Sequence, residues 1–384
     1  MTALFWFGVL WLGYVFIGYP LILALLGRVH RVHPVMKDDF LPTVSVLISA
    51  RNEEKDIGWK VTETLAWDYP REGLELLVAS DASEDRTEEI LQAIKDPRLK
   101  AVRIERRSGK GVALNRLAQL ARGELLFFTD ANAHIPAHCL KRMVGHFADE
   151  RVGCVTGMTT AQPAVDLVIE SGDRLYLGYE TTISQLESQL GSVLVCDGAI
   201  FCIRRSLFHP VFPELANDLE LPMRIGDAGY WILHEPTARV FEKETSSPQE
   251  EFARRRRICG QGLLAMWRFR GALRGVRGWQ YVSRKFLRWL TLVPLVLLLI
   301  CSAALAGQRF FALVLTLELI FYGLAVMGWV LALNGRTAGR AFGVPFFVML
   351  GSVAAFVGVA DTCLGRRFAV WEVPSLSRGR EERT

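Results

Sequence analysis

Four long apolar runs constrain this chain more than any other feature: Leu4–Leu26, Trp289–Leu305, Phe310–Leu333 and Phe342–Leu364. Each holds about 17–24 residues, the length a helix needs to cross roughly 30 Å of hydrocarbon. They explain a mean hydropathy of +0.23 in a chain that is still 22% charged. Pro294 and Pro345 fall inside two of the runs, and membrane helices tolerate both. The first run has no basic segment before it and no small-residue cleavage site after it, so it reads as an anchor over residues 1–27, not a removed signal. Arg28, His30 and Arg31 follow it, which places the next part of the chain in the cytoplasm of an inner or plasma membrane protein.

With that orientation, three C-terminal spans over residues 289–364 put the tail, 365–384, outside. Yet the tail carries Arg366, Arg367, Arg378, Arg380 and Arg383. Either one run is re-entrant or the charge rule is broken. Before these runs, Glu250 to Arg288 holds eleven Lys and Arg against two Glu, interleaved with Leu263, Trp267, Trp279 and Phe286. Basic residues with Trp and Leu at helical spacing describe helices lying on an anionic membrane surface over 251–288. The net charge of +5 is too small to indicate a nucleic-acid partner. The seven cysteines are scattered, without a CxxC pair, and read as buried thiols in a reducing compartment.

Residues 40–250 have the texture of a water-soluble domain. Thr43–Ser49 is a short β-branched run that ends in the polar turn Arg51-Asn52-Glu53-Glu54, with a helical pattern to Trp67. Glu75–Ser80, Leu99–Ile104 and Glu124–Thr129 repeat the motif, with helices over Thr87–Lys95 and Lys110–Leu120. Strand, polar turn, helix, repeated, is an α/β doubly wound, mostly parallel sheet. Ligands of such sheets bind beyond the carboxyl ends of the strands. There the sequence places Asn52 and Glu53, then Asp81 and Asp85, then Asp130 and Asn132. With no GxGxxG and no GxxxxGK[ST], the crevice is neither a standard dinucleotide site nor a P-loop. Acids at strand ends suit Mg²⁺ or Mn²⁺, and such an ion commonly accompanies a diphosphate. Lys110 opens a helix and is placed to meet phosphate by charge and by the helix N-terminus.

The blocks PTVSVLISARNEE, LLVASDASEDRT, RRSGKGVALN, ELLFFTDANA and NDLELPMRIGDAGY resemble the inverting glycosyltransferases of family 2. The membrane-integrated members are most alike: synthases of cellulose, hyaluronan, chitin and poly-N-acetylglucosamine, and ceramide glucosyltransferases. The resemblance covers about residues 42–270. It implies a GT-A (nucleotide-diphospho-sugar transferase) fold, a nucleotide-sugar donor, most often UDP-linked, and a lipid or polysaccharide acceptor. By the resemblance, Ala50, Asn52 and Glu53 hold uracil and ribose, and Asp81 hydrogen-bonds the uracil. Lys110 lies near the nucleotide. Asp130 and Asn132 stand where the family has DxD, which binds the metal and the diphosphate. Asn132 is a neutral oxygen donor there, and amide carbonyls are acceptable ligands. Asp218 matches the aspartate of the family's ED pair, its neighbour replaced by Asn217.

An inverting displacement needs one base on the face opposite the leaving diphosphate, and a carboxylate serves by taking the acceptor hydroxyl proton. Asp218 is that base in this reading; the competing role is a cap on a helix beginning at Leu219. Processive members carry Q(Q/R)xRW after this point. Here Arg254-Arg255-Arg256-Arg257-Ile258 stands in its place, with Arg257 on the motif arginine, Arg254 on the Gln and Ile258 on the Trp. The arginines suit a diphosphate or acceptor clamp. Loss of the Trp favours short transfer, and the likeness to polysaccharide synthases favours chain assembly. Exopolysaccharide or glycan assembly is the preferred expectation, with a single-transfer glycolipid synthase as the alternative. Arg204 and Arg205 guide a diphosphate or face solvent, and helix Val165–Leu190, with Tyr176, Tyr179 and Glu180, is mostly core packing.

Overall fold

The computed structural model describes residues 1–161, 168–242, 247–334 and 339–368. Seven strands form one sheet: β1 (Val44–Ala50), β2 (Leu74–Asp81), β3 (Leu99–Ile104), β4 (Leu125–Asp130), β5 (Val152–Ala161), β6 (Phe201–Arg204) and β7 (Trp231–Glu242). Their order is β3-β2-β1-β4-β6-β5-β7. The β1–β2, β2–β3, β1–β4 and β5–β7 pairs are parallel, and β6 runs antiparallel to both β4 and β5. The expected mostly parallel, doubly wound α/β sheet is therefore present.

Alternate residues of each strand serve opposite faces. Val44, Val46, Ile48, Leu76, Val78 and Phe127 join one core. Leu47, Leu77, Ala79, Leu126 and Phe128 join the other. Both faces are covered by helices, so the strands read as unbroken apolar runs.

Helix α1 (Thr2–Val29) precedes the sheet. The helices over the sheet are α2 (Ile57–Leu65), α3 (Thr87–Ala93), α4 (Lys110–Leu120), α5 (Cys139–Gly145), α6 (Val168–Gln189) and α7 (Asn217–Asp227); α1 packs against α6 and the helix Leu292–Ala304. The strand order reverses between β1 and β4, and Ser49 lies opposite Asp130 while Ala50 lies opposite Ser80. The carboxyl ends of β1, β2 and β4 are level there, which is where doubly wound sheets bind ligands.

The rest of the chain is helical: α8 (Pro248–Arg268), α9 (Gly275–Trp289), α10 (Leu292–Ala304), α11 (Arg309–Leu333) and α12 (Arg340–Cys363). Helices α1, α11 and α12 are each long and apolar enough to cross a membrane. The run Trp289–Leu305 differs from the expected span. Its regular part is the 13 residues of α10, about 20 Å at 1.5 Å per residue, short of a roughly 30 Å core. It reaches spanning length only together with α9, across a 56° bend.

Helix α12 also differs from its companions. Half of its apolar window is buried against protein, compared with 17% in α1 and 11% in α11. Phe347, near its start, lies 4.3 Å from the Arg255 guanidinium, and Asp361, near its end, pairs with Arg256 at 2.5 Å. Close approach to α8 depends on Gly358, where a Cβ would stand 2.2 Å from the Arg256 carbonyl oxygen. In the basic tail, Arg366 pairs with Asp361 at 2.9 Å, while residues 369–384, including Arg378, Arg380 and Arg383, lie outside the described residues. The expected helix Val165–Leu190 is described from Val168 to Gln189.

Candidate active site

The turn after β1 is bound to the turn after β2. Arg51 donates through Nη1 to the carbonyls of Asp81 and Ala82, at 3.0 and 3.1 Å. Asn52 sits at φ +53°, a left-handed conformation that Asn tolerates better than most residues. Its amide donates to Ser83 Oγ at 3.1 Å, and its Oδ1 accepts from the Glu84 amide at 2.8 Å. The Glu53 amide donates to Thr87 Oγ1 at 2.8 Å. These bonds join the β1 and β2 turns into one wall of the crevice, with Ala50 fully buried behind it.

Asp81 holds the next loop. It is 3% exposed, and its two carboxylate oxygens accept from the amides of Ser108 and Gly109, each at 2.8 Å. That fixes the start of α4, whose first residue is Lys110. The Lys110 ammonium reaches Asp130 Oδ1 at 2.5 Å, and both side chains are about one-third exposed. An ammonium, a helix N-terminus and a carboxylate thus share the floor below the β1–β4 switch point. Asn132 lies two residues beyond Asp130, on the exposed turn that follows β4.

Asp218 forms the opposite wall. Helix α7 begins at Asn217 with Ala216 at the cap position and no side-chain cap bond, so Asp218 lies in the first turn and the expected capping role at Leu219 is not what is found. Its carbonyl accepts from the Cys196 amide at 2.9 Å. A Cβ on Gly198 would stand 3.3 Å from Asp218 Oδ2, so the loop before β6 passes directly against the carboxylate. Enclosure by protein pushes the Asp218 carboxyl above the usual range; Lys110 opposes this, Asp197 adds to it and Arg257 opposes it. Asp197, likewise raised by burial, accepts from the Thr159 amide at 2.6 Å and the Ala199 amide at 3.0 Å. Two amide bonds occupy Asp197, while the Asp218 carboxylate makes no hydrogen bond among the described residues.

The four consecutive arginines of α8 diverge, as a period of 3.6 residues requires. Arg254 donates to Glu251 at 2.8 Å, and Arg255 engages Glu251 while covering the rings of Tyr176 and Phe347. Arg256 turns to Asp361. Arg257 is half-buried beside the crevice, where desolvation lowers its pKa and the Asp218 and Asp130 carboxylates oppose that shift. Of the two arginines expected to meet the acceptor or diphosphate, Arg257 belongs to the crevice and Arg254 is held at its margin by Glu251.

Lys110, Asp130, Asp218 and Arg257 are therefore brought together, with the Asn52–Glu53 turn and Asp81 along one wall. Asp197, which was not among the expected site residues, joins them. Arg204 and Arg205 do not join. Arg204 pairs with Leu125, at the amino end of β4, and donates to the carbonyls of Val152, Phe147 and Asp149. Arg205 donates to the Gly123 carbonyl at 2.7 Å. Both tie backbone together at the end of the sheet away from Asp130; Arg205 is exposed there, as the solvent-facing alternative has it, and neither is placed to meet a diphosphate in the crevice. His146, on Glu235 at 2.7 Å, is likewise outside the crevice.

A switch-point crevice that pairs a strand-end acid with a helix-start lysine, faced by a second acid, is built to receive a charged ligand. In comparison with known proteins, residues 45–212 match the family Glycosyl transferase family 2. It is 29% identical over 262 residues to the probable glycosyltransferase YdaM of Bacillus subtilis, covering 64% of this chain and 57% of that protein. It is 35% identical over 118 residues to the beta-monoglucosyldiacylglycerol synthase of a Synechocystis strain, covering 30% of this chain and 25% of that one. The chain thus spans at most 57% of the length of these two relatives. Among solved structures, the mannosyltransferase PcManGT from Pyrobaculum calidifontis, in complex with GDP-Man and Mn²⁺, has the same fold. The TM-score is 0.68 at 21% identity, over 94% of this chain and 99% of that one.

Proposed function

We propose that this chain is a membrane-bound inverting glycosyltransferase, moving a sugar from a UDP-linked donor to an acceptor presented at the membrane, with Asp218 as general base. One observation carries the reading: a carboxylate without hydrogen bonds, raised in pKa by its enclosure, stands in the crevice with Lys110 and Arg257. A base is most effective when its pKa approaches the working pH, and burial moves an aspartate that way.

The nucleoside would lie along the Ala50, Asn52, Glu53 and Asp81 wall. Lys110, Arg257 and the N-terminus of α4 would meet the diphosphate. Asp218 accepts the proton of the acceptor hydroxyl as its oxygen bonds to the anomeric carbon. The bond from that carbon to the diphosphate oxygen breaks with its electron pair, and the new linkage has inverted configuration.

Among the described residues no three or more His, Cys, Asp or Glu side chains converge as a ready-made metal cage. The donor set fits Mg²⁺ or Mn²⁺, which commonly uses one or two carboxylates together with substrate phosphate oxygens. Asp130 and Asn132 would hold it, and when bound it would supply positive charge for the departing diphosphate.

The membrane supplies the acceptor side. Ile258, where a chain-elongating member has an aromatic platform, is 44% exposed. Without a ring there to stack on a growing chain, a single transfer to a lipid or lipid-linked acceptor fits better than elongation of a long polymer. The relative that makes a glucosyldiacylglycerol points the same way. We place the catalytic domain in the cytoplasm, from Arg28, His30 and Arg31 after α1. Because α12 meets Arg255 and Arg256 near both of its ends, we place the tail on that side too.

The test is a donor screen on purified protein, following UDP or GDP release from a panel of nucleotide sugars with and without native lipid extract. Turnover of one UDP-sugar that depends on lipid and yields a short organic-phase product supports the proposal. A long water-soluble polymer made without lipid supports a processive synthase, and GDP-sugar turnover alone overturns the donor assignment.

A further inference from the structure

A buried polar network lies outside the crevice. Glu187 of α6 is fully buried. Its Oε1 accepts from the Tyr19 hydroxyl of α1 at 2.6 Å. Its Oε2 takes the Arg284 guanidinium of α9 and accepts from the Leu194 amide at 3.1 Å. Arg284, itself 3% exposed, continues to Glu180 at 2.9 Å and Ser184 at 3.2 Å, and Arg288 also pairs with Glu180. The anchor, the basic interfacial helix and the catalytic domain therefore share one carboxylate.

That carboxylate also sets a loop. Gln280 donates to Ser192 Oγ at 2.9 Å, and the Tyr281 hydroxyl donates to the Leu194 carbonyl at 3.3 Å. Two residues on, the Cys196 amide bonds the Asp218 carbonyl, and Gly198 lies against the Asp218 carboxylate. The start of this loop is held on one side by β7, where the Val193 amide donates to the Ile232 carbonyl at 3.2 Å and the Ile232 amide donates to the Gly191 carbonyl at 3.0 Å, and on the other by α6 and α9.

We infer that Glu187, held by Tyr19 and Arg284, is a positioning residue that sets the 192–198 loop against Asp218. The inference rests on the assignment of Asp218 above. It gives a reason for burying a carboxylate and a guanidinium together, since removing one partner of such a pair strands the other charge. It also makes the reactive geometry depend on membrane helices. Glu187 touches no substrate; it acts through the Leu194 amide.

Glu187→Gln keeps the shape and removes the charge, and Tyr19→Phe removes one hydroxyl far from the crevice. Full-length variants in nanodiscs are compared with wild type for donor dissociation constant, kcat and Tm, beside Asp218→Asn. Misplacement of a reacting group by a fraction of an ångström to 1 Å predicts a fall in kcat of about 10- to 100-fold for Glu187→Gln, with donor affinity retained. A smaller fall in kcat is expected for Tyr19→Phe, with donor affinity retained and Tm lowered only modestly, and the double variant falls by less than the product of the two effects. Wild-type kcat in both single variants overturns the inference. So does a parallel loss of donor binding, kcat and Tm in Tyr19→Phe, which marks a structural role only. If Asp218→Asn still transfers sugar, the base assignment fails instead, whatever the Glu187 variants do.

Discussion

Lys110 Nζ lies 2.5 Å from Asp130 Oδ1 on the floor of the crevice, so the cation expected to meet a phosphate and the acid expected to meet a metal are bound to each other. A donor diphosphate would replace this partner for the lysine. Charge-assisted hydrogen bonds of this type contribute about 1.5–3 kcal/mol. Lys110→Met should therefore weaken donor binding by about 10- to 100-fold, measured by titration calorimetry. Unchanged affinity would remove Lys110 from the donor site.

The same pair bears on the ion. Activity should vanish in EDTA and return with Mn²⁺ or Mg²⁺, and Asp130→Asn should raise the concentration of ion needed for half-maximal activity. Full activity in chelator would take Asp130 and Asn132 out of a metal role.

The raised pKa of Asp218 has a definite sign in two measurements. As a base it must be deprotonated, so kcat should fall on the acid side with a midpoint above about 4, the ordinary aspartate value. For stability, a carboxyl whose folded pKa is raised binds its proton more tightly when folded. Its contribution is therefore unfavourable at neutral pH and disappears as pH falls through the raised folded value toward the ordinary one. Asp218→Asn should accordingly raise Tm at pH 7, with the difference shrinking in acid. An equal or lower Tm at pH 7 would contradict the enclosure argument.

The position of α12 predicts sidedness. Cys363, at its end, is exposed, and the other six cysteines are buried. A membrane-impermeant maleimide should label Cys363 from the side that holds the catalytic domain. Labelling only from the opposite side would overturn the placement of the tail.

Strands β1 to β4 were legible in the sequence, β5 and β7 were not, and β1, β2 and β4 stand out because they are buried along nearly their whole length. TVSVLIS and ELLFFT then stand out as apolar runs, and the polar residues after them mark the crevice. Asn52, Asp81, Lys110 and Asp130 follow from that position alone. What the sequence hid was set by tertiary partners. Glu180 and Glu187 look like the polar stripe of an amphipathic helix until Arg284, about 100 residues on, is found beside them. Arg254 to Arg257 look equivalent, and only the neighbours of α8 send one to Glu251, another to Asp361 and another toward Asp218. Arg204 stood open between a diphosphate guide and a solvent-facing residue because pairing β6 antiparallel to β4, which carries it to the end of the sheet away from the crevice, leaves no mark in the sequence. The apolar composition of α12 indicates a span, and its lateral packing on α8 does not show in hydropathy.

The central claim is that Asp218 takes the acceptor proton, and Asp218→Asn tests it most directly. The change is nearly isosteric and leaves the Cys196–Asp218 backbone bond intact. Measured on one preparation, sugar transfer should fall by about 10²- to 10⁴-fold, the usual contribution of a general base, while the donor dissociation constant stays near the wild-type value. Transfer at the wild-type rate, or loss of donor binding in step with transfer, would contradict the account.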